Sequence, residues 1–316
     1  MDNGILLTGA GGFVGRALAL ALIEHGAKLT CAIRTAIILT DARTELISNI
    51  DELTDWSCCL KGIDTVIHSA ARVHIMQDGA SDPLAEFRRV NVGGTLNLAR
   101  QAATAGVRRF IFISSIKVNG EATINGVKFT EQDFPCPQDA YGISKYEAEL
   151  GLLELGKETG LEIVIIRPPL IYGPGVKANF ASMLRLARAQ IPLPFGAVRN
   201  KRSFVYLGNL ISLILCCIEH PDAANEIFLV SDGTDLSISE VLRACAIAFE
   251  KRSFLFSVPP FLLMGIAGIL GKRPLAQRLL GSLQVDISKS KRILGWAPPI
   301  SIEDGLKETV KREFES

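Results

Sequence analysis

The sequence lacks several features that would indicate particular classes of protein. Lys and Arg number 34 against 33 Asp and Glu, so the net charge is +1 and no basic excess predicts nucleic-acid binding. The seven cysteines include no Cys-x-x-Cys pair, and their odd number favours reduced thiols in a cytoplasmic protein. No tandem repeat or low-complexity segment is visible. A chain of 316 residues that is 48% hydrophobic is large enough for one or two globular domains.

Long hydrophobic runs are also scarce, and residues 253–271 form the one uncharged stretch that approaches the length of a membrane span. Pro259 and Pro260 interrupt it, which predicts a strand ending at Val258 and a proline-started helix buried against the substrate-binding part of the protein. Its glycines and the lack of a flanking basic face argue against membrane association, with a helix lying in a membrane surface as the alternative. The apolar run at the start of the chain is too short for a signal peptide.

A glycine-rich turn stands at the start of the chain. The apolar run Ile5–Leu7 leads into Thr-Gly-Ala-Gly-Gly-Phe-Val-Gly at residues 8–15, and an amphipathic stretch follows to Glu24. Gly9 permits a sharp turn, Gly12 lets the backbone approach a pyrophosphate, and Gly15 lets a helix pack closely on the strand. The helix N-terminus would then present N–H groups to phosphates. The pattern predicts a dinucleotide site, with an ordinary strand–helix turn as the alternative.

The residue after the second predicted strand, Lys28–Ile33, is Arg34, where an acidic residue would bind the ribose 2′-hydroxyl of NAD. An arginine suits a 2′-phosphate instead, so NADP(H) is favoured and NAD(H) stays an alternative, as does a solvated surface arginine. Asp55 precedes the third predicted strand and is a weaker candidate for the adenine edge.

Strands and helices alternate through the first half of the chain, which predicts an α/β protein with a doubly wound parallel sheet of the Rossmann type. Residues after Pro169 are irregular and rich in proline and glycine, apart from a core strand at Glu226–Val230. We therefore expect a cofactor domain formed by residues 1–167 and 204–230. A smaller substrate domain would comprise residues 168–203 and 231–316.

Tyr141 and Lys145 stand four residues apart, on one face of a helix predicted over residues 141–159. A nearby ammonium favours phenolate and would lower the tyrosine pKa, so Tyr141 could exchange a proton with a hydroxyl or ketone. Ser115 follows the predicted strand Phe110–Ile113 and could hydrogen-bond the same oxygen. An ordinary helix pair is the alternative for Tyr141 and Lys145 alone, but the glycine turn and the serine in this order favour an oxidoreductase.

In these motifs the chain resembles the NAD-dependent epimerase/dehydratase family of extended short-chain dehydrogenases/reductases, whose members act on nucleotide-activated sugars. The resemblance implies Ser115, Tyr141 and Lys145 as catalytic residues, no metal, and a homodimer formed through the helices starting near Asn91 and Tyr141. The implied cofactor contacts are Gly9, Gly12, Phe13, Val14, Gly15, Arg34, Asp55, Ala70, Ala71, Asn91, Tyr141, Lys145 and Pro168. The implied substrate contacts are Ser115, Asn179, Arg202 and Arg278, because an arginine fork suits phosphate oxygens.

Two departures from the family pattern narrow the expected reaction. Sugar dehydratases carry an Asp-Glu pair where this chain has Ile116 and Lys117, so dehydration is not expected. The 4-epimerases usually continue with Val-Tyr-Gly, whereas this chain has Val118-Asn119-Gly120. The segment Ser114–Glu121 resembles a branch that includes reductases of UDP-4-keto-6-deoxy-N-acetylhexosamines for surface polysaccharides. The first expectation is therefore such a reductase acting on a UDP-sugar. The alternative is a UDP-hexose or UDP-N-acetylhexosamine 4-epimerase, and a remote third is a non-catalytic NADP-sensing regulator.

Overall fold

A computed structural model describes residues 4–35, 39–73, 82–124 and 126–314. Its central sheet has seven parallel strands in the order β3-β2-β1-β4-β5-β6-β9. These strands are β1 Gly4–Thr8, β2 Lys28–Ile33, β3 Ala42–Leu46, β4 Ile63–His68, β5 Arg109–Ile113, β6 Glu162–Arg167 and β9 Glu226–Leu229. Two further strands, β7 Leu170–Tyr172 and β8 Phe204–Tyr206, pair in parallel as a separate small sheet. The α/β class and the doubly wound parallel sheet are thus confirmed.

Helices cover both faces of the central sheet. In chain order the helices of the described residues, on the central sheet and around the small one, are α1 Phe13–Glu24, α2 Pro83–Arg88, α3 Thr95–Thr104, α4 Ala140–Thr159, α5 Ala178–Ala189, α6 Leu207–Glu219, α7 Ile238–Ala248, α8 Pro260–Ile269, α9 Arg273–Leu280, α10 Ser288–Leu294 and α11 Ile302–Phe314. In the described ranges no helix has both the length and the hydropathy needed to cross a membrane.

The core divides into three clusters because successive residues of a strand point to opposite faces. Ile5 and Leu7 pack in the cluster that contains α1 and α6, whereas Leu6 packs in the cluster that contains α3 and α4. The third cluster lies between β7, β8, α5, α7 and α11. The division into two domains at residues 168, 204 and 231 stays a prediction, and the small sheet joins segments from both predicted domains.

The structure differs from the sequence expectations in three places. Strand β3 was not predicted, because it is an edge strand of half-exposed and exposed residues with no apolar run. Asn91 does not begin a helix: it lies in a π-helical turn, residues 89–94, that joins α2 to α3. Residues 253–258 form only an isolated bridge at Leu255, and α8 contains no buried residue, so the expected strand and burial are wrong.

Candidate active site

The glycine turn after β1 is built as a tight cradle. Gly9 has a φ of 79°, and a Cβ there would come 2.8 Å from the amide nitrogen of Ala70. A Cβ on Gly15 would lie 2.1 Å from the carbonyl oxygen of Gly9, so only glycine lets α1 start this close to the strand. Gly12 caps α1 without a side chain, so the first N–H groups of the helix, Phe13 and Val14 included, face outward to an external acceptor. This cradle fits a dinucleotide pyrophosphate.

A second wall of the same cradle follows β4. The amide of Ala70 donates to the Thr8 hydroxyl at 3.3 Å, and the Ser69 hydroxyl donates to the Thr8 carbonyl at 2.7 Å. Asn91 holds the next residues in place through two bonds with the backbone of Arg72, and its amide also donates to Ser144 on α4. Ala70 and Ala71 therefore lie beside the glycine turn, and Asn91 supports this segment through its bonds to Arg72.

His68 ties the two walls together beneath the surface. Its Nδ1 lies 2.8 Å from the Thr8 hydroxyl and its Nε2 lies 3.0 Å from the Thr95 hydroxyl, so it bridges β1, β4 and α3. Complete burial, with a further effect of the nearby Lys145 charge, lowers its pKa to about 3. His68 is therefore neutral and structural.

The two residues predicted to contact the adenosine side are both exposed. Arg34 follows β2 at the edge where β1 ends, because Ala32 of β2 is in register with Thr8 of β1. Asp55 lies in the loop before β4, where its carboxylate accepts from the amide of Ser57 at 2.9 Å, a bond that lowers its pKa. The assignments of Arg34 and Asp55 to the cofactor remain predictions.

Helix α4 brings Tyr141 and Lys145 to the carboxyl end of β5. The Lys145 ammonium is buried, donates to the carbonyl of Ile113 at 2.8 Å, and lies 4.3 Å above the centre of the Phe112 ring. The same nitrogen is 6.0 Å from the centre of the Tyr141 ring. The predicted juxtaposition on one helix face is therefore present.

The protonation of this pair differs from the expectation. Burial, reinforced by the Asp139 charge, raises the pKa of Tyr141 above its usual value, whereas a lowered value was expected. Burial also lowers the pKa of Lys145 to about 7, partly offset by the charge of Glu149. The physical reason is that both groups lose hydration at this depth, and the ammonium bonds a carbonyl instead of the phenol. Without bound cofactor or substrate, the Tyr141 phenol is thus protonated at neutral pH.

A buried ion pair below Lys145 was missed by sequence reasoning. Glu149 accepts two hydrogen bonds from Nε and Nη2 of Arg167, the closer at 2.5 Å, and accepts another from the Ser114 hydroxyl. Arg167 also donates to the side-chain oxygen of Asn119 at 2.9 Å. The available signal was the spacing, because Glu149 lies one further helical step of four beyond Tyr141 and Lys145.

Ser115 and Pro168 meet where β5 and β6 end. Ser115 caps a short 3₁₀ turn, and its Oγ accepts from the amide of Lys117 at 3.3 Å, so its own O–H can donate to a ligand. The carbonyl of Pro168 accepts from the amide of Ile116 at 3.0 Å. This bond fixes the two strand ends relative to each other.

Lys117, the second of the two residues that stand at the Asp-Glu positions expected of the dehydratases, has a structural partner. Its ammonium donates to Asp139, the N-cap of α4, and lies 3.4 Å from Glu121. Burial alone would raise the pKa of Asp139, but the bonds from Lys117 and from the Gly142 amide hold it below its usual value. Lys117 therefore anchors the helix that carries Tyr141.

The two predicted substrate arginines are brought together. Nη1 of Arg202 donates to the carbonyls of Arg278 at 2.7 Å and Gly281 at 2.9 Å. The Arg278 guanidinium donates to Glu121 at 3.2 Å, which connects it through Lys117 to the start of α4. Asn179 lies on the first turn of α5, where it is exposed. Glu121, which sequence reasoning did not single out, joins Arg278 through Lys117 to the helix that carries Tyr141.

Comparison with known proteins gives a family and several relatives. The pattern of the NAD-dependent epimerase/dehydratase family matches residues 5–231. A UDP-glucose 4-epimerase of Vibrio cholerae is 48% identical over 98% of this chain and 95% of its own length. An N-acetyl-α-D-glucosaminyl-diphospho-ditrans,octacis-undecaprenol 4-epimerase of Escherichia coli O157:H7 is 27% identical over 99% of this chain and 96% of its own.

Among solved structures, a UDP-glucose 4-epimerase of Thermotoga maritima with UDP-glucose superposes with a TM-score of 0.77 at 24% identity. The match covers 98% of each chain. At this level of identity the likeness concerns the fold.

Proposed function

The chain belongs to the NAD-dependent epimerase/dehydratase family, and on that premise we propose that it is a 4-epimerase of a UDP-hexose or UDP-N-acetylhexosamine. The observation that carries the proposal is the bond from Lys145 to the last residue of β5, which brings Tyr141 to the strand end that Ser115 follows. The 48% identity to a UDP-glucose 4-epimerase over nearly the whole chain supports the substrate class and the position of the reaction.

This proposal prefers epimerisation, which the sequence analysis gave as the alternative. The sequence analysis preferred reduction of a 4-keto sugar because of Arg34 and the Ser114–Glu121 segment. Two relatives that cover the chain almost fully are 4-epimerases, which favours the alternative.

Each catalytic residue has a role that follows from its contacts. The cofactor implied by the family would supply, when bound, an exchangeable hydride from its nicotinamide, and its oxidised form would carry a positive charge. Tyr141 would take the proton of the sugar 4-hydroxyl and later return it to the 4-keto oxygen. Ser115 would donate its O–H to the same oxygen, and Lys145 would hold the ribose and favour the phenolate.

The arginine cluster would bind the diphosphate of the substrate. Arg278 bonds only one oxygen of Glu121 among the described residues, so an anionic diphosphate could compete for its remaining donors. Arg202 uses Nη1 for two carbonyls and keeps its other nitrogens for the ligand. Asn179 would approach from the first turn of α5.

The proposed epimerase is tested by its need for cofactor. The purified protein is incubated with UDP-glucose and, separately, with UDP-N-acetylglucosamine, in each case without added NAD or NADP. The products are separated by chromatography. We expect the galacto epimer of one of them to form, and NAD to be released when the protein is denatured. Absence of epimer from both sugars, with and without added NAD, would contradict the proposal.

A second candidate, reduction of a UDP-4-keto sugar with NADPH, is favoured by one observation: the exposed Arg34 at the end of β2. If Arg34 receives a 2′-phosphate, Arg34→Ala should weaken NADPH binding roughly tenfold to a hundredfold and leave NADH nearly unchanged. Binding is measured by nucleotide fluorescence, with Arg16→Ala on α1 as the control. Equal affinity of the unaltered protein for both nucleotides would eliminate this candidate.

A further inference from the structure

Helix α8 presents an apolar face that no described part of the protein covers. Leu263 packs against the third core cluster, and Leu263, Met264 and Ala267 are half-buried. The opposite face carries Phe261, Leu262, Ile266, Ile269 and Leu270, of which Phe261 is 72% and Ile269 is 88% exposed. Leu262, Ile266 and Ile269 follow the helical spacing of four and three residues, so they form one stripe.

Basic residues flank this stripe, contrary to the sequence expectation. Lys272 and Arg273 come directly after the helix and are exposed, and Arg252 precedes it. From residue 251 to residue 285 the chain contains five basic residues and no acidic one. We call Phe261, Leu262, Ile266, Ile269, Leu270, Lys272 and Arg273 the α8 surface.

We infer that the α8 surface docks the protein onto a bilayer that contains anionic phospholipid. A helix with exposed aromatic and aliphatic side chains and basic neighbours lies in the plane of a membrane interface, with its apolar face among the acyl chains. Lysine and arginine at its edge are attracted to anionic headgroups. The helix is too short to cross a membrane, so it would lie on the surface.

Charge favours a bilayer over a second copy of the chain. A twofold contact through this surface would pair it with itself and bring the basic residues of both copies together. Anionic headgroups neutralise those charges, whereas a second copy adds to them.

The α8 surface stands beside the candidate substrate contacts. Helix α8 packs on α9, and α9 carries Arg278, whose guanidinium bonds Glu121 and whose carbonyl accepts from Arg202. Docking would therefore hold this side of the active site near the lipid headgroups. The inference does not depend on the proposed reaction, because binding is measured without substrate.

Vesicle flotation of the full chain tests the inference. Vesicles of phosphatidylcholine with about 30% phosphatidylglycerol are compared with pure phosphatidylcholine, and we expect roughly tenfold or more tighter binding to the anionic vesicles. Ile266→Glu with Ile269→Glu should lower that binding at least about tenfold, because two charges would enter the apolar layer. The matched control is Leu53→Glu with Ile124→Glu, which are 92% and 80% exposed elsewhere and should bind normally.

The basic edge has its own pair of variants. Lys272→Gln with Arg273→Gln should weaken binding to anionic vesicles roughly tenfold or more, and Lys307→Gln with Lys311→Gln on α11 should leave it nearly unchanged. Circular dichroism confirms that every variant is folded.

Three outcomes would overturn the inference. They are failure of the unaltered protein to bind anionic vesicles, equal loss in the α8 variant and its control, and a lower molar mass of the α8 variant by light scattering without lipid. The last would identify the surface as a contact between copies.

Discussion

At the scale of single residues, burial controls the protonation of Tyr141 and Lys145, the proposed catalytic pair. Tyr141 and Lys145 both lose hydration at the end of β5, so the pKa of the phenol rises and that of the ammonium falls to about 7. At neutral pH the tyrosine keeps its proton in the protein alone. A protonated Tyr141 could therefore donate to a 4-keto oxygen, whereas accepting a proton from a hydroxyl would require its pKa to fall when substrate and cofactor bind.

Tyr141→Phe should abolish turnover while cofactor binding is retained. In the proposed mechanism the phenolic O–H transfers the proton and the glycine turn binds the pyrophosphate, so we expect a loss of roughly two to four decades in kcat. Initial rates of epimer formation and the cofactor content of the purified variant are the measurements. Tyr146→Phe, on the same helix, is the control, and near-normal turnover of the Tyr141 variant would refute its assigned role.

At the scale of secondary-structure elements, buried polar groups fix the helices on the sheet. His68 joins β1 and β4 to α3, and the Glu149–Arg167 pair joins α4 to β6. These bonds set the positions of the glycine turn and of the helix that carries Tyr141. Removing one partner leaves the other buried without its bond, which costs more than an exposed pair contributes.

His68 should make stability decrease toward acid pH. Its pKa is about 6.5 in an unfolded chain and about 3 here, so below about pH 6.5 the unfolded chain binds a proton that the folded protein excludes. The free energy of unfolding should then fall by about 1.4 kcal/mol per pH unit, and more carboxylates contribute below about pH 5. Urea titrations from pH 7 to 5 measure the slope.

The His68→Gln variant isolates this contribution. Its slope below about pH 6.5 should be shallower than that of the unaltered protein by about 1.4 kcal/mol per pH unit, whatever its absolute stability. Identical slopes in the two proteins would show that His68 is protonated while folded.

Glu149→Gln should destabilise the fold by roughly 3 kcal/mol, because Arg167 would keep its charge in a buried site without the carboxylate. Glu147→Gln is the matched control: it lies on the same helix and breaks the exposed pair with Arg88, so its cost should be at most about 1 kcal/mol. Urea unfolding at pH 7 compares the two, and equal costs would contradict the importance assigned to burial.

At the scale of the whole molecule, the predicted dimer has a surface to which it can be assigned. The dimer is predicted to form through the helices that start near Asn91 and Tyr141, but Leu98 on α3 and Leu152 on α4 are fully buried within the chain's own core. Leu96 packs closely on Gly151 of the same chain, because a Cβ added to Gly151 would lie 2.7 Å from the Leu96 side chain. Leu150 on α4 remains exposed, so it is the residue that can contact a partner.

Leu150→Glu should therefore convert the predicted homodimer to a monomer. The leucine is 49% exposed, so the change places a carboxylate in the contact without disturbing the core. Light scattering at micromolar concentration is the measurement, with Ile247→Glu on α7 as the control. A monomeric unaltered protein would remove the dimer from the proposal.

Sequence reasoning was accurate where local rules decide the structure. Helix α1 has the predicted bounds, Phe13–Glu24, because a glycine turn and an amphipathic period specify it without distant partners. Strand β3 was missed because an exposed edge strand has few apolar residues in its sequence. The exposure of α8 was missed because an apolar sequence does not show whether another segment packs on the helix.

The sequence by itself determined the strand–turn–helix cradle, the placement of Tyr141 and Lys145 on one helix face, and the order of motifs that indicates the family. These follow from spacing along the chain, which local geometry converts directly into position. Only the tertiary structure decided that burial raises the pKa of Tyr141, that Lys117 and Glu121 connect Arg278 to the helix that carries Tyr141, and that no described segment buries α8. Hydration and long-range contact depend on which segments pack together, and distance along the chain does not specify that.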